Sequence, residues 1–177
     1  YQINDNWTLA IFQGDLVGMG DGTVTDRGGN ASVAGYIFGS IAATTLNLGV
    51  FNGCFYIDPT TSKPTWKNYY PGAVNITTGK IDAYCYDNPQ QLFVAQTAGT
   101  LTQADAGSLI DNNTYVAGST INGQSNLEIA TSSKFTTGQW RILRLSEDPS
   151  NSDTGSANSN WVVRLNESIY YNSAILS

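Results

Sequence analysis

Apolar residues in this chain come in short runs separated by turn-forming residues. The three-and-four spacing of an amphipathic helix is nearly absent. TLAIF (8–12) is one such run. DLVGM (15–19) meets GTVTD (22–26) across Asp21-Gly22, a preferred type I′ hairpin turn. Arg27 to Ser32 reads as a loop, and Val33 to Ile41 as a strand. LNLGVFNGCFYID (46–58) mixes glycines with aromatics, which predicts a strand with a bulge or a close approach of another backbone. Lys63 to Tyr70 is aromatic and fits a strand or an extended arm. IDAYCYD (81–87), QLFVAQ (91–96), QWRILRLSE (139–147) and NWVVRLN (160–166) are further strands. In the last, Trp161, Val163 and Leu165 alternate with Val162 and Arg164. Asn122-Gly123 is a second hairpin turn, leading into SNLEIAT (125–131).

Three strand-like runs end in the same punctuation: Asp58-Pro59, Asn88-Pro89 and Asp148-Pro149. The residue before proline is pushed out of the helical region, and an Asp or Asn there caps its own turn. The only helical hint is Thr102 to Asp111, with Leu101, Ala104, Leu109 and Ile110 as its apolar positions and Thr102 as N-cap. It predicts one turn or two. The polar run DPSNSDTGSANSN (148–160) predicts a long flexible loop. Many short strands at this spacing predict an all-β fold. We expect a compact single domain over 1–177, a β-barrel or β-sandwich of roughly eight to ten strands. It would carry long polar loops and at most a short helix.

Composition sharpens this picture. Of the 177 residues only 12% are charged, about half the usual share. Asn, Ser, Thr and Gly replace them, which suits turns and edges and suits exposed helix faces badly. Eight Lys and Arg against 14 Asp and Glu leave a net charge of -6. Such a chain has no electrostatic footprint for nucleic acid or anionic membrane, so neither is expected as a partner. The most apolar segment, Tyr36 to Val50, is interrupted by Gly39, Asn47 and Gly49, so no transmembrane helix is expected. No secretory leader is visible, and Tyr at position 1 implies processing or a preceding piece. Cys54 and Cys85 lie in strand-like runs and read best as two free thiols, with a disulfide between the strands as the alternative.

The chain contains no histidine. That removes the Ser-His-Asp and Cys-His nucleophile arrangements, most zinc and iron sites, and the commonest general base. TTGK (77–80) fails the phosphate-loop pattern, because Val74 and Ile81 stand where Gly and Ser or Thr are required. GMGDG (18–22) leads into Thr-Val-Thr rather than a helix and reads as a hairpin. Carboxylates could serve a glycosidase without histidine. The candidates are Asp58, Asp82, Asp87, Asp105, Asp111, Glu128, Glu147 and Asp148, and no pair stands out. Asp111-Asn112-Asn113 and Asp148 to Asp153 are the loops where calcium would sit, but the spaced Asp pattern is missing. Five sequons, at Asn6, Asn30, Asn75, Asn112 and Asn166, carry little weight in a chain so rich in Asn, Ser and Thr. No catalytic residue, cofactor or metal is therefore expected, and the chain reads as a non-enzyme.

The aromatics Trp7, Trp66, Tyr69, Tyr70, Trp140 and Trp161 are core, interface anchors or a sugar-stacking platform. WKNYY (66–70) is too crowded to turn wholly inward from one strand, which points to a protein interface.

The run GVFNGCFYIDPTTSKPTWKNYYPGAV (49–74) resembles a pattern of tailed-bacteriophage virion proteins, specifically the capsid decoration or cement family. AIFQGDLV (10–17), IDAYCYDNPQQLFVAQ (81–96) and WRILRLSEDPSN with NWVVRLNES (140–168) fit the same family in order, over most of the chain. The resemblance implies a virion protein on the capsid exterior, assembled in the host cytoplasm. Its partner would be the major capsid protein, whose neighbouring subunits it would clamp. It also implies a homo-oligomer, with a trimer favoured over a dimer. Family members begin with a further short segment ahead of Tyr1 to Asn6. The expected contact residues are Tyr1 and Trp7, on an N-terminal arm spanning 1–7, with Trp66, Tyr69 and Tyr70 as anchors. The competing reading is a carbohydrate-binding β-sandwich of the adhesin or receptor-binding kind.

Overall fold

The computed structural model describes residues 1–22, 32–39, 47–76, 78–132, 134, 137–151 and 153–171. They form an all-β protein, with strands β1 (Gln2–Ile3), β2 (Leu16–Met19), β3 (Ile37–Gly39), β4 (Asn47–Ile57), β5 (Pro64–Lys67), β6 (Ile81–Tyr86), β7 (Leu92–Gln96), β8 (Leu109–Ile110), β9 (Trp140–Leu145) and β10 (Asn160–Leu165). The helical hint yields a single 3-10 turn, Gln103–Asp105. The N–H and hydroxyl of Thr102 both donate to the Asp105 carboxylate, at 2.8 and 3.2 Å. The chain divides into two compact units: residues 1–87 with 116–126, and residues 88–115 with 127–177.

The first unit is a closed five-stranded barrel. Its strands run in the order β2, β3, β1, β6, β4, and β4 returns to pair with β2. Among the pairings of these five strands in the described residues, β1–β3 is parallel and the others are antiparallel. β5 extends the sheet beyond β4 as an edge, and its first residue is Pro64, which could not serve inside a ladder. Closure removes the sheet edges that would otherwise seek partners. The interior holds Ile3, Val17, Ile37, Phe51 and Ile81, each 2% exposed or less.

The glycines of β4 act as its sequence predicts. The β4–β6 register shifts between Phe51 and Gly53. With Asn52 inserted as a bulge, Phe51 and Cys54 both face the interior, though strict alternation would have placed them on opposite faces. At Gly49 a Cβ would stand 2.1 Å from the Tyr86 carbonyl oxygen, so only glycine lets the strands close there.

Residues 1–7, expected as an arm, are instead laid into this unit. β1 sits between β3 and β6, and the terminal amine of Tyr1 donates to the Ala83 carbonyl at 3.0 Å. The strand is two residues long, too short to register as a periodic pattern. TLAIF also differs from expectation. It forms no ladder but one bridge, Ile11 to Tyr70, with backbone hydrogen bonds of 2.9 and 2.7 Å. The strand after the Asp21-Gly22 turn falls outside the described residues.

The second unit is a four-stranded antiparallel sheet in the order β7, β10, β9, β8. Trp161, Val163 and Leu165 face its core with Trp140 and Ile142. Phe93 meets Trp140 edge-on at 5.8 Å. The expected SNLEIAT strand is reduced to single bridges, because Ile129 pairs with Thr97 on one side and Asn112 on the other. The loop after β9 is closed by hydrogen bonds from Asn151 Nδ2 to Asn158 O (2.9 Å) and from Asn160 N to Asn151 O (3.2 Å).

The three Asp/Asn-Pro stops are built as their sequence implies. Asp58 Oδ1 accepts from the N–H groups of Thr60 and Thr61 at 2.9 Å each. Asn88 Oδ1 accepts from Gln90 N, and Asp148 Oδ1 from Ser150 N, again at 2.9 Å.

Candidate functional site

Strand alternation decides which aromatics reach the surface of the barrel. In β6, Ile81 and Ala83 are buried while Tyr84 and Tyr86 are about half exposed. In the β4–β6 ladder Tyr84 stands opposite Gly53, and Phe55 opposite Asp82. In the β4–β5 ladder Phe55 stands opposite Trp66. Phe55, Trp66, Tyr84 and Tyr86 therefore share the outer face, with exposures of 36%, 51%, 49% and 51%.

Trp66 and Tyr84 are brought together by what Gly53 lacks. The Trp66 indole lies over Gly53 and meets the Tyr84 ring at 5.0 Å between centroids and 62° between planes. The pair forms an angled aromatic corner on rigid strands. Its rim is polar. Lys80 pairs with Asp82 at 2.9 Å, and the Tyr1 hydroxyl donates to the Asp87 carboxylate at 2.5 Å. Exposed aromatics within a polar rim are the composition of an interaction surface.

The sequence-predicted contact residues divide. Trp66 stands in the corner, and Tyr1 lies near its rim, 41% exposed and bonded beside β6. Tyr69 is half-buried and stacked on Phe12 at 5.6 Å and 9°, with the Lys67 ammonium 5.5 Å from its ring. Tyr70 is fully buried. Its hydroxyl donates to the Trp7 carbonyl at 2.8 Å and accepts from Val74 N at 3.3 Å, and burial pushes it up to about 12. Trp7 is also buried and packs at a tilt on Phe38 at 6.1 Å. These two are core residues and offer no surface. Phe55, Tyr84 and Tyr86 were not singled out from the sequence. The alternation Ile81, Ala83, Cys85 against Asp82, Tyr84, Tyr86 carries the information, since it puts both tyrosines on the face of an aspartate.

Of the carboxylates weighed for catalysis, Asp58, Asp87, Asp105, Asp111 and Asp148 serve as hydrogen-bond acceptors within the fold. Backbone N–H groups of Thr61 and Thr60 hold the Asp58 carboxyl below its ordinary value, and the N–H and hydroxyl of Ser150 do the same for Asp148. Asp111 accepts from Gln139 N at 3.1 Å. Asn112, beside it, accepts from the Trp140 indole N–H at 2.8 Å. Among the described residues no group of three or more Cys, Asp or Glu side chains is placed to hold a metal ion. Gly79 of TTGK has φ +92, which fits a turn. Neither cysteine forms a disulfide, and burial pushes each thiol up to about 12, far from a reactive thiolate.

No protein-family model, no curated protein and no solved structure matches this chain.

Proposed function

We propose that the chain is a structural virion protein that binds the outside of a phage capsid and stabilises contacts between major capsid subunits. The observation that carries this reading is the exposed corner of Trp66 and Tyr84, flanked by Phe55 and Tyr86 on rigid barrel strands. Trp and Tyr buried at the centre of an interface contribute most of its binding energy, and a preordered pair loses little freedom on docking. The scarcity of surface charge supports the same reading, because few ions need to be stripped of water when it binds. Repetition around a shell lets each contact be modest. The sequence resemblance supplies the partner and favours a trimer as the binding form.

A carbohydrate-binding module is the second reading, favoured by the same exposed rings. Flat sugars stack best on coplanar platforms, whereas the 62° corner better suits a protruding side chain. The distinguishing experiment heats capsids lacking the protein with and without the added chain. A higher rupture temperature supports the capsid reading. An unchanged rupture temperature together with saturable binding on a glycan array would replace it with the second.

A further inference from the structure

The second sheet carries a different surface. In the β10–β9 ladder Arg164 stands directly opposite Arg141. Side chains so placed have Cβ atoms about 4.5–5.5 Å apart, and like charges there destabilise the sheet. The register shifts between Val162 and Val163, so Leu143 is the extra residue of β9. By strict alternation Arg144 would point into the core. The bulge turns it outward, opposite Val162, onto the face of the other two arginines. Three of the eight cationic residues of an acidic chain thus meet on one face of one sheet.

Their existing partners leave that charge standing. Arg141 donates to the Gly107 carbonyl at 2.9 Å, and Arg164 to Gln90 Oε1 at 3.0 Å, both neutral acceptors. Among the described residues, neither pairs with a carboxylate. Arg164 Nε is buried without a partner. Arg144 approaches Glu147 only to 3.6 Å, and that glutamate side chain is 89% exposed. Beside the arginines, on the edge strand β7, Leu92 faces Arg164 and Val94 faces Val162, with exposures of 49% and 61%.

We propose that this face receives an extended acidic segment of a partner protein, whose carboxylates sit on Arg141, Arg164 and Arg144 and whose apolar side chains cover Leu92 and Val94. The Arg141–Arg164 row and Arg144 lie in successive outward rows of the sheet. That spacing, about 7 Å, is the one at which acids at i and i+2 recur along an extended chain. Guanidinium forks are built to grip carboxylates in pairs of hydrogen bonds, and a carboxylate on this row offsets the like charge of the two arginines. A free inorganic anion would make no use of Leu92 and Val94. The site stands on the second sheet and does not depend on the capsid reading.

Fluorescence anisotropy with a labelled peptide of alternating Glu and Val tests this on the full chain. A Gln/Val peptide of equal length and an oligothymidylate serve as comparisons. The Glu peptide should bind saturably at low salt and weaken as salt rises. The Arg141→Gln/Arg164→Gln double variant should lose about tenfold or more in affinity, as expected for removed charge-assisted hydrogen bonds. Lys63→Gln removes a cation from the barrel instead and should bind unchanged. If the double variant fails to fold, the exposed Arg144→Gln alone should weaken binding by about threefold. Equal binding of the Gln peptide overturns the proposal. So do tighter binding of the oligothymidylate, equal loss in the lysine variant, or no binding at millimolar peptide.

Discussion

The Trp66 indole occupies the space that a side chain at position 53 would need. A Cβ on Gly53 would stand 2.6 Å from Trp66 Cζ2 and 2.8 Å from the Lys67 carbonyl oxygen. Gly53 itself sits beside the β4 bulge with φ +153. The absence of one carbon thus sets the angle of the aromatic corner.

Gly53→Ala should therefore cost about 1–3 kcal/mol of stability in a urea titration, by overpacking against ring and backbone. It should also lower occupancy on capsids. Trp66→Ala removes an exposed ring and its edge contact, so its stability cost should stay near 0.5–1.5 kcal/mol while occupancy falls further. A Gly53→Ala variant as stable as the parent would contradict this geometry.

Tyr70→Phe should destabilise the barrel by about 1–3 kcal/mol. It leaves the Trp7 carbonyl and the Val74 N–H without their buried hydroxyl partner. Equilibrium denaturation measures the effect, and because Tyr70 is fully buried, capsid affinity of the folded variant should not change.

Asp105 should make the second unit acid-sensitive. Burial works to raise its carboxyl, but the Lys134 ammonium and the Thr102 N–H and hydroxyl together hold it below its ordinary 3.8. A depressed carboxylate contributes stability above its unfolded value and loses it as pH falls through the folded one. Asp105→Asn should cost about 1–3 kcal/mol at neutral pH. The melting temperatures of variant and parent should converge below the ordinary carboxylate range.

Glu167 has the opposite sign. Burial and the nearby Asp111 raise its carboxyl above its ordinary 4.5. Its proton is bound more tightly in the folded state, so it favours the fold below 4.5, and that contribution is lost as pH rises through the folded value. Glu167→Gln should raise the melting temperature at neutral pH and leave it unchanged in acid.

Legibility from sequence followed the length of each pattern. β4, β6, β7, β9 and β10 were readable because their strand patterns extend over five residues or more. The Asp58, Asn88 and Asp148 turns were readable because proline and an Asx side chain act locally. β1 was not, since two residues define no period and its place depends on β3 and β6, far along the chain. Trp66 was found as a crowded aromatic, whereas Tyr70, four residues on, is core. That difference arises from the Ile11 bridge, which pulls Tyr70 inward and involves no local periodicity. The bulges at Asn52 and Leu143 break alternation, and each re-aims a residue that period-two reasoning assigns to the wrong face.

The most direct test counts bound copies when the purified chain is co-sedimented with expanded phage capsids lacking it. The parent should saturate at a ratio fixed by the lattice, and the Trp66→Ala/Tyr84→Ala variant, equally folded, should lose most of its occupancy. Absence of saturable binding by the parent, or undiminished occupancy of the variant, would contradict the account.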